Sequence, residues 1–315
     1  MRSTFLLLVL TGCAVSRTRG GDEVPAPRID YHQHLVSAPF APIVQRPPRD
    51  ARALLAELDS AGVHKAVVLS VAYSLADERK NLPDPDRLSR EENDWTSTQM
   101  VAGQGRLVGF CSVNPLRAAA LAELDRCLEL SGMRGIKLHF GNSGVTLRNP
   151  DHATRLAELF ALAERKGAPV LVHMRARGGE NFGAEDAHLF LDRLVVVAPS
   201  IEVVVAHFGG AGPGYPAQAD SVMSVFSAAA ERGDPRLRHM YFDMATVVNE
   251  ETSPEVAALI ARRVRQLGVK RVLYGSDLTP PGGSVGAGWK LFCDRLPLTV
   301  QETRAIAGNV TSFMR

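Results

Sequence analysis

The chain is poor in cysteine, in long apolar runs and in clustered basic charge, and each shortage excludes a class of protein. Its 315 residues include only 4 cysteines and no Cys-x-x-Cys pair, which argues against zinc knuckles and dithiol redox motifs. No run of about 18 apolar residues is present, so no helix is expected to span a membrane. The formal net charge is +2 without a Lys/Arg-rich run, so we expect no nucleic-acid partner. The nine histidines therefore become the first place to look for chemistry.

The first 12 residues are predicted to be a targeting segment and not part of the fold. Arg2 precedes the apolar run 5–10, which is too short to cross a bilayer. The following Leu10-Thr11-Gly12-Cys13 resembles the bacterial lipoprotein signal, in which the cysteine is lipidated and becomes the first mature residue. The resemblance implies an exported protein anchored through a lipid on Cys13, on the periplasmic or cell-surface side, with residues 13–27 as a polar tether. The alternative is a plain secretory signal in which Cys13 is incidental.

Export places the remaining cysteines in an oxidising compartment. Cys111, Cys127 and Cys293 cannot all pair within one chain. Cys111 lies in a predicted buried strand and Cys127 on a predicted helix. We interpret both as small buried hydrophobic residues.

From residue 28 onward, short apolar runs alternate with longer amphipathic runs. The runs of β-branched residues predict strands at 28–32, 65–70, 107–112, 134–139, 169–173, 201–206, 240–244 and 271–275. Runs with helical spacing and capping signals predict helices at 50–62, 91–103, 116–131, 149–167, 185–198, 217–232, 253–268 and 299–307.

Eight such units over one stretch of 28–315 predict a single-domain α/β fold, the (β/α)8 or TIM barrel. An open doubly wound sheet is the alternative, and the lack of a Gly-rich phosphate loop after any predicted strand weakens it. The stretch 71–93 is polar and follows the second strand, so we expect it to form a rim or lid over the catalytic face.

Five histidines and one aspartate fall where predicted strands end, and the other four histidines do not. The first group should converge on one pocket, because active sites of this fold lie at the C-terminal ends of the strands. It contains His32, His34, His139, His173, His207 and Asp277. The second group precedes strands or lies on helices: His64, His239, His152 and His188.

This grouping predicts a metal centre. His32 and His34 are two residues apart on a strand, so their side chains should share a face. With a third imidazole from His173 and the carboxylate of Asp277, they make a three-nitrogen, one-oxygen set that suits zinc or a related divalent ion. An isolated His-x-His pair would have no such meaning by itself.

The order of these motifs resembles the amidohydrolase superfamily, in its single-domain branch called amidohydrolase 2. The motifs are Asp30-Tyr31-His32-Gln33-His34, Gly135-Ile136-Lys137-Leu138-His139, Val170-Leu171-Val172-His173, Val205-Ala206-His207-Phe208-Gly209-Gly210, Leu273-Tyr274-Gly275-Ser276-Asp277 and Gly308-Asn309. The resemblance implies that His32, His34, His173 and Asp277 hold the metal and that His207 assists catalysis.

Three further residues are candidates for contact with the substrate: Lys137, His139 and Arg175. In two-metal members of the superfamily a lysine in the position of Lys137 is carbamylated and bridges the ions, so a second metal is the alternative to one Zn²⁺. Arg175 and Arg177 could bind a substrate carboxylate through bidentate hydrogen bonds, or could belong to a solvated loop. Residues 278–283 depart from the family pattern, so substrates cannot be carried over from relatives.

These observations predict a metal-dependent hydrolase that attacks an amide, ester or lactone carbonyl of a small molecule. A metal-activated water would be the nucleophile, with Asp277 as proton acceptor and His207 beside it. The alternative within the same branch is a metal-dependent non-oxidative decarboxylase of a small carboxylic acid. A lipoprotein that only binds a ligand is a third reading, and assembly into a homo-oligomer stays open.

Overall fold

The computed structural model describes residues 24–176, 179, 181–277 and 284–315. Eight parallel strands form one sheet in the order β1 to β8, which confirms the predicted barrel. The strands are β1 Ile29–Gln33, β2 Lys65–Leu69, β3 Leu107–Ser112, β4 Met133–His139, β5 Val170–His173, β6 Val203–Val205, β7 Met240–Asp243 and β8 Val272–Leu273.

The sheet closes where β1 meets the segment after β8. The Tyr31 N–H donates to the Tyr274 carbonyl at 2.9 Å, and the Asp277 N–H donates to the His32 carbonyl at 2.8 Å. This closure sets the residues that follow β8 directly against the strand that carries His32 and His34.

Helices surround the strands. Those of the described residues are α1 Ala41–Val44, α2 Ala51–Ala61, α3 Ala72–Leu75, α4 Pro85–Ala102, α5 Ala120–Cys127, α6 Phe140–Ser143, α7 Pro150–Lys166, α8 Ala184–Arg193, α9 Ala217–Glu231, α10 Pro254–Leu267, α11 Val285–Arg295 and α12 Val300–Gly308. Eight of them come from the segments that the sequence predicted, and four are additional: the short α1, α3 and α6, and the longer α11.

The boundaries of the long helices follow from their caps. The Asn149 side chain accepts hydrogen bonds from the first turn of α7, Pro150 occupies its first position, and Gly167 ends it with φ 63°. Ser253 and Pro254 begin α10 in the same way. These are local signals, so the sequence alone places the helix ends.

Two hydrophobic layers hold the barrel. The strands and helices pack around one large core, and a smaller cluster fills the barrel interior, including Tyr31, Leu69, Phe110, Leu171 and Val204. Because the interior is filled with side chains below, the space for chemistry lies at the C-terminal ends of the strands.

The stretch 71–93 differs from the expected irregular rim. It contains α3 and the first half of α4, which begins at Pro85 and not near residue 91. Asp84 caps α4 by accepting from the Arg87 N–H, and Pro85 sits in its first turn. The polar composition of this segment hid its helical spacing.

Cys111 and Cys127 are joined by a disulfide, which corrects the interpretation of both as free hydrophobic residues. The bond links β3 to α5, and the two cysteines are 16 residues apart in sequence. Both residues are fully buried, as expected, and Cys293 is free.

Within the described residues, no helix is both long enough and apolar enough to cross a membrane. The predicted signal segment 1–12, Cys13 and most of the tether 13–27 lie outside the described residues.

Candidate metal centre

His32 and His34 reach the top of the barrel from the end of β1. Tyr31 faces the barrel interior, and the register of β1 against β2 shifts between Asp30 and Gln33. Bulges of this kind occur next to active sites and redirect side chains. The two histidines are therefore brought to the site by a local irregularity, in addition to the alternation that predicted them.

Three of the histidines donate a hydrogen bond from Nδ1 to a fixed acceptor. His32 Nδ1 lies 2.9 Å from Asp243 Oδ2, His34 Nδ1 lies 2.7 Å from the Leu69 carbonyl, and His207 Nδ1 lies 2.8 Å from the Ala245 carbonyl. A carbonyl or carboxylate requires the N–H on Nδ1, so each Nε2 keeps a free lone pair. This is the arrangement that orients imidazoles toward a metal.

The remaining side chains face one another around a small space. One potential ligand atom from each of His32, His207 and Asp277 lies within 4.8 Å of the other two, and His34 Nε2 lies 3.7 Å from Asp277 Oδ1. Of the four predicted ligands, His32, His34 and Asp277 thus lie close together. His173 is next to them, with its ring 5.1 Å from that of His207.

Two buried polar atoms at this point have no hydrogen-bond partner among the described residues: Asp277 Oδ1 and His173 Nδ1. Leaving such atoms unpaired is costly unless another group satisfies them. A divalent cation among neutral imidazoles and one carboxylate would do so, and the residues present therefore fit the metal that the sequence predicted.

Burial sets the protonation of these groups. It lowers the pKa of His32, His34 and His173 well below the usual range, and that of His207 to a lesser extent. Neutral imidazoles are the form that binds metals. Burial also raises the pKa of the Asp277 carboxyl to about 6, against the lowering effect of the charges on Arg46 and Lys137.

Lys137 is buried in the same region, with 1% of its surface exposed. Burial lowers the pKa of its ammonium to about 8, against the opposing charges of Asp243 and Asp277. A lysine amine with a lowered pKa is partly neutral, the form that reacts with carbon dioxide, so both readings of Lys137 stay open.

His139 belongs to a stack of rings on the other side of the site. Its ring lies parallel to that of His173 with 3.9 Å between centroids, and Tyr73 of α3 lies 4.7 Å from it. Its Nδ1 accepts from the Asn142 N–H at 3.2 Å. His139 thus forms a wall of the site next to a predicted ligand.

Arg175 follows β5 and folds along its own loop. A Cβ atom added to Gly179 would lie 2.5 Å from Arg175 Nε, so the guanidinium rests against that backbone. The candidates Arg177 and 278–283 lie outside the described residues. His152 and His188 are on α7 and α8, while His64 and His239 precede β2 and β7 at the opposite end, as predicted.

Three residues near the site were missed by the sequence analysis. Asp243 ends β7, and its carboxylate also accepts the N–H groups of His207 and Ala245 at 2.9 and 3.1 Å. The rule that was applied to the histidines, to look where strands end, would have found it. Tyr73 lies on the short helix α3 and Arg46 follows the short helix α1, and no local sequence signal predicts either helix.

The sequence matches the Amidohydrolase family over residues 29–309, nearly the whole described chain. The chain belongs to this family. No curated protein matches it by sequence. The family and the enzymes that share its fold identify this amidohydrolase-family chain as an enzyme related to metal-dependent hydrolases.

Solved structures with the same fold include both hydrolases and decarboxylases. A protein of Acinetobacter baumannii described as a 2-pyrone-4,6-dicarboxylic acid hydrolase, with citric acid bound, is 17% identical (TM-score 0.61; 89% of this chain and 96% of that one). The 5-carboxyvanillate decarboxylase of Sphingomonas paucimobilis is also 17% identical (TM-score 0.59; 91% and 97%). The decarboxylase of that name from Novosphingobium aromaticivorans, complexed with manganese, is 15% identical (TM-score 0.56; 90% and 94%). At these identities the likeness extends to the fold alone.

Proposed function

We propose that this member of the family is a metal-dependent hydrolase that cleaves an amide, ester or lactone of a small molecule. The observation that carries the proposal is the cluster of His32, His34, His207 and Asp277, in which Asp277 Oδ1 has no hydrogen-bond partner among the described residues. His32, His34, His173 and Asp277 would hold one divalent ion, for which zinc is our proposal. Such an ion would polarise the substrate carbonyl and make a water molecule more acidic.

Side chains of the protein would transfer the proton, orient the water molecule and bind the substrate. Asp277 takes the proton of the attacking water on its carboxylate and returns it to the leaving group. His207 cannot accept at Nδ1, which donates to Ala245, so its Nε2 accepts from the water and orients it. Lys137 places a buried cation near the reacting carbonyl, and His139 with Tyr73 provides a flat wall for the substrate.

The metal centre is tested by metal analysis of protein purified without chelator. We expect about one divalent ion per chain, and we expect the double variant His32→Ala/His34→Ala to lose it. The matched control is His64→Ala/His188→Ala, which removes two exposed histidines away from the site and should keep the metal. Full metal content in the first variant would refute the ligand assignment. Two ions per chain with a carbamate on Lys137 would place the protein in the two-metal class.

A decarboxylase of a small carboxylic acid is the second candidate, and Arg46 favours it. The positive charge of Arg46 lowers the pKa of His32, His34 and Asp277, so the guanidinium is close enough to the centre to attract an anion. Arg46 and the buried Lys137 thus give the site two cationic side chains beside the carboxylates of Asp243 and Asp277. A turnover screen separates the candidates: a hydrolase releases an acid from neutral esters, amides or lactones, whereas a decarboxylase releases carbon dioxide from aromatic acids.

We also propose that the enzyme is exported and membrane-anchored through a lipid on Cys13. The support is the Leu10-Thr11-Gly12-Cys13 pattern together with the Cys111–Cys127 disulfide, a bond typical of oxidising compartments. Cys13→Ala should move the protein out of the membrane fraction while leaving its melting temperature unchanged. An unmodified Cys13 in the intact mass of the membrane-bound protein would contradict the proposal.

A further inference from the structure

The segments that carry the predicted metal ligands meet at one buried carboxylate that is not itself a predicted ligand. Asp30 lies on β1 two residues before His32 and is completely inaccessible to solvent. Its Oδ1 accepts from the His32 N–H and from the Ser276 N–H, both at 3.1 Å. Its Oδ2 accepts from Gln33 Nε2 at 2.7 Å and from the Ser276 hydroxyl at 2.6 Å. One side chain therefore joins the histidine strand to the segment that ends in Asp277.

Gln33 extends this network toward the surface. Its Nε2 also contacts the Ser276 hydroxyl, and its Oε1 accepts from Arg49 Nη1 at 2.7 Å. Arg49 donates in addition to the His34 carbonyl at 3.2 Å and pairs with Glu57. Gln33 stands between the two metal-binding histidines in sequence, so its side chain fixes the same stretch of backbone that presents them.

Asp277 needs this support because its backbone is in an unfavourable conformation. Its φ is +43°, in the left-handed region, which is unfavourable for a residue other than glycine. The Asp277 N–H is held by the His32 carbonyl, and the preceding residue is held twice by Asp30. Such strain persists only where the surroundings fix it, and it is common at functional sites.

We infer that Asp30 is a positioning residue, which acts through Ser276 to hold the Asp277 carboxylate in place for the metal. This inference rests on the metal centre proposed above. It assigns to Asp30 no contact with substrate or ion. The observation that distinguishes it from an ordinary buried aspartate is that all four of its hydrogen bonds go to the two ligand-bearing segments.

The test compares metal affinity with stability. Asp30→Asn keeps the shape of the side chain but loses one acceptor oxygen. We expect its Zn²⁺ dissociation constant, measured by chelator competition, to rise about 10- to 100-fold, the usual effect of losing an outer-sphere partner. The visible absorption of the Co²⁺-substituted protein should change as well, because it reports ligand geometry. The matched control is Asp186→Asn on α8, a buried aspartate whose hydrogen bonds come from Gly183 and Arg148 and not from a segment that carries a predicted ligand.

Ser276→Ala provides a second variant with little risk of misfolding. It removes one hydrogen bond to Asp30, and we expect metal affinity to fall about two- to tenfold. If Asp30 acts through Ser276, the double variant should lose less than the sum of the two single losses in free energy. Unchanged affinity in Ser276→Ala, or a fall in the melting temperature of Asp30→Asn without a change in affinity, would overturn the inference.

The failure of this inference is distinguishable from failure of the proposed function. If His32→Ala/His34→Ala retains its metal, the metal centre itself is wrong. If that variant loses the metal while Asp30→Asn and Ser276→Ala bind it like the wild type, only the positioning role of Asp30 is wrong.

Discussion

The orientation of His207 is fixed by its backbone conformation and by two hydrogen bonds, in addition to the packing of its ring. Its φ is +52°, its N–H donates to Asp243 Oδ1 at 2.9 Å, and its Nδ1 donates to the Ala245 carbonyl. A strained backbone and two fixed hydrogen bonds aim Nε2 into the space beside Asp277. The Asp243 carboxylate that holds His207 also holds His32, so the proposed catalytic group and a proposed ligand share one support.

His207→Asn tests whether this group acts on the reaction. We expect metal content and melting temperature to be retained while kcat falls about 10²–10⁴-fold, the range for a positioned acid–base group. His188→Asn, on the exposed surface of α8, is the matched control and should change nothing. Loss of the ion would make His207 a ligand, in keeping with its place in the closest trio of potential ligand atoms. An unchanged kcat with a large loss of stability would make it structural.

At the residue scale, the sequence could identify groups that belong to a pattern but not groups that arrive by tertiary contact. The histidines and Asp277 follow a rule about strand ends, and Asp243 obeys the same rule. Arg46 follows α1, where Gln45 has a left-handed backbone conformation. Its position in the sequence does not reveal that its charge lies close to the histidines. The positioning role of Asp30 depends on a contact across 246 residues, which no local signal encodes.

At the scale of elements, the strands were predictable because each is a short apolar run covered on both faces. Five of the eight predicted helices begin and end within two residues of the observed bounds for a related reason, since caps such as Asn149, Pro150 and Gly167 act locally. The prediction is less accurate for α5, which is four residues shorter at each end, and for α8, which ends five residues early. In α4 the prediction missed residues 85–90, where Leu88 is the single large apolar residue, so apolar spacing could not place the start of the helix.

Glu92 gives α4 a pH-dependent stability. Its side chain is inaccessible, Oε1 accepts from the Ser37 N–H at 3.2 Å, and Oε2 has no partner among the described residues. Burial raises the pKa of this carboxyl from 4.5 to about 7. The folded protein therefore binds a proton that the unfolded chain has released, and its free energy of unfolding falls as the pH rises from about 4.5 to 7.

Glu92→Gln should remove this dependence. Relative to wild type, the variant should gain up to about 3 kcal/mol of unfolding free energy between pH 4.5 and pH 8, since one pKa unit corresponds to about 1.4 kcal/mol. Chemical denaturation at several pH values measures the difference, in which the titration of other groups cancels. Glu92→Met, which also cannot titrate, should show the same pH dependence whatever its absolute stability. Parallel curves for wild type and Glu92→Gln would contradict the assignment.

At the scale of the whole molecule, the disulfide and the N-terminal pattern bear on the same question, which is where the enzyme works. The sequence analysis took Cys111 and Cys127 as free because β3 and α5 are separate elements and their spacing does not reveal that they pack together. In the folded chain β3 and α5 pack against each other, and the disulfide between Cys111 and Cys127 closes a loop of 16 residues. The disulfide stabilises the fold only in a compartment where it can form. The stability of the protein should therefore differ between an oxidising compartment and the reducing cytosol.

The size of that difference follows from loop closure. A disulfide around a loop of about 15 residues stabilises a protein by about 3 kcal/mol, so reduced wild type should unfold with a free energy lower by about that amount. Cys111→Ala/Cys127→Ala should become insensitive to reductant, and Cys293→Ser should keep the wild-type response because its thiol is outside the bond.

Counting free thiols tests where the protein is located. Full-length protein from the cell envelope should show Cys111 and Cys127 oxidised, whereas a chain lacking residues 1–12 and retained in the cytosol should show them reduced. Reduced thiols in the envelope fraction would mean that the enzyme folds without this bond in the cell, and would remove the structural support for export.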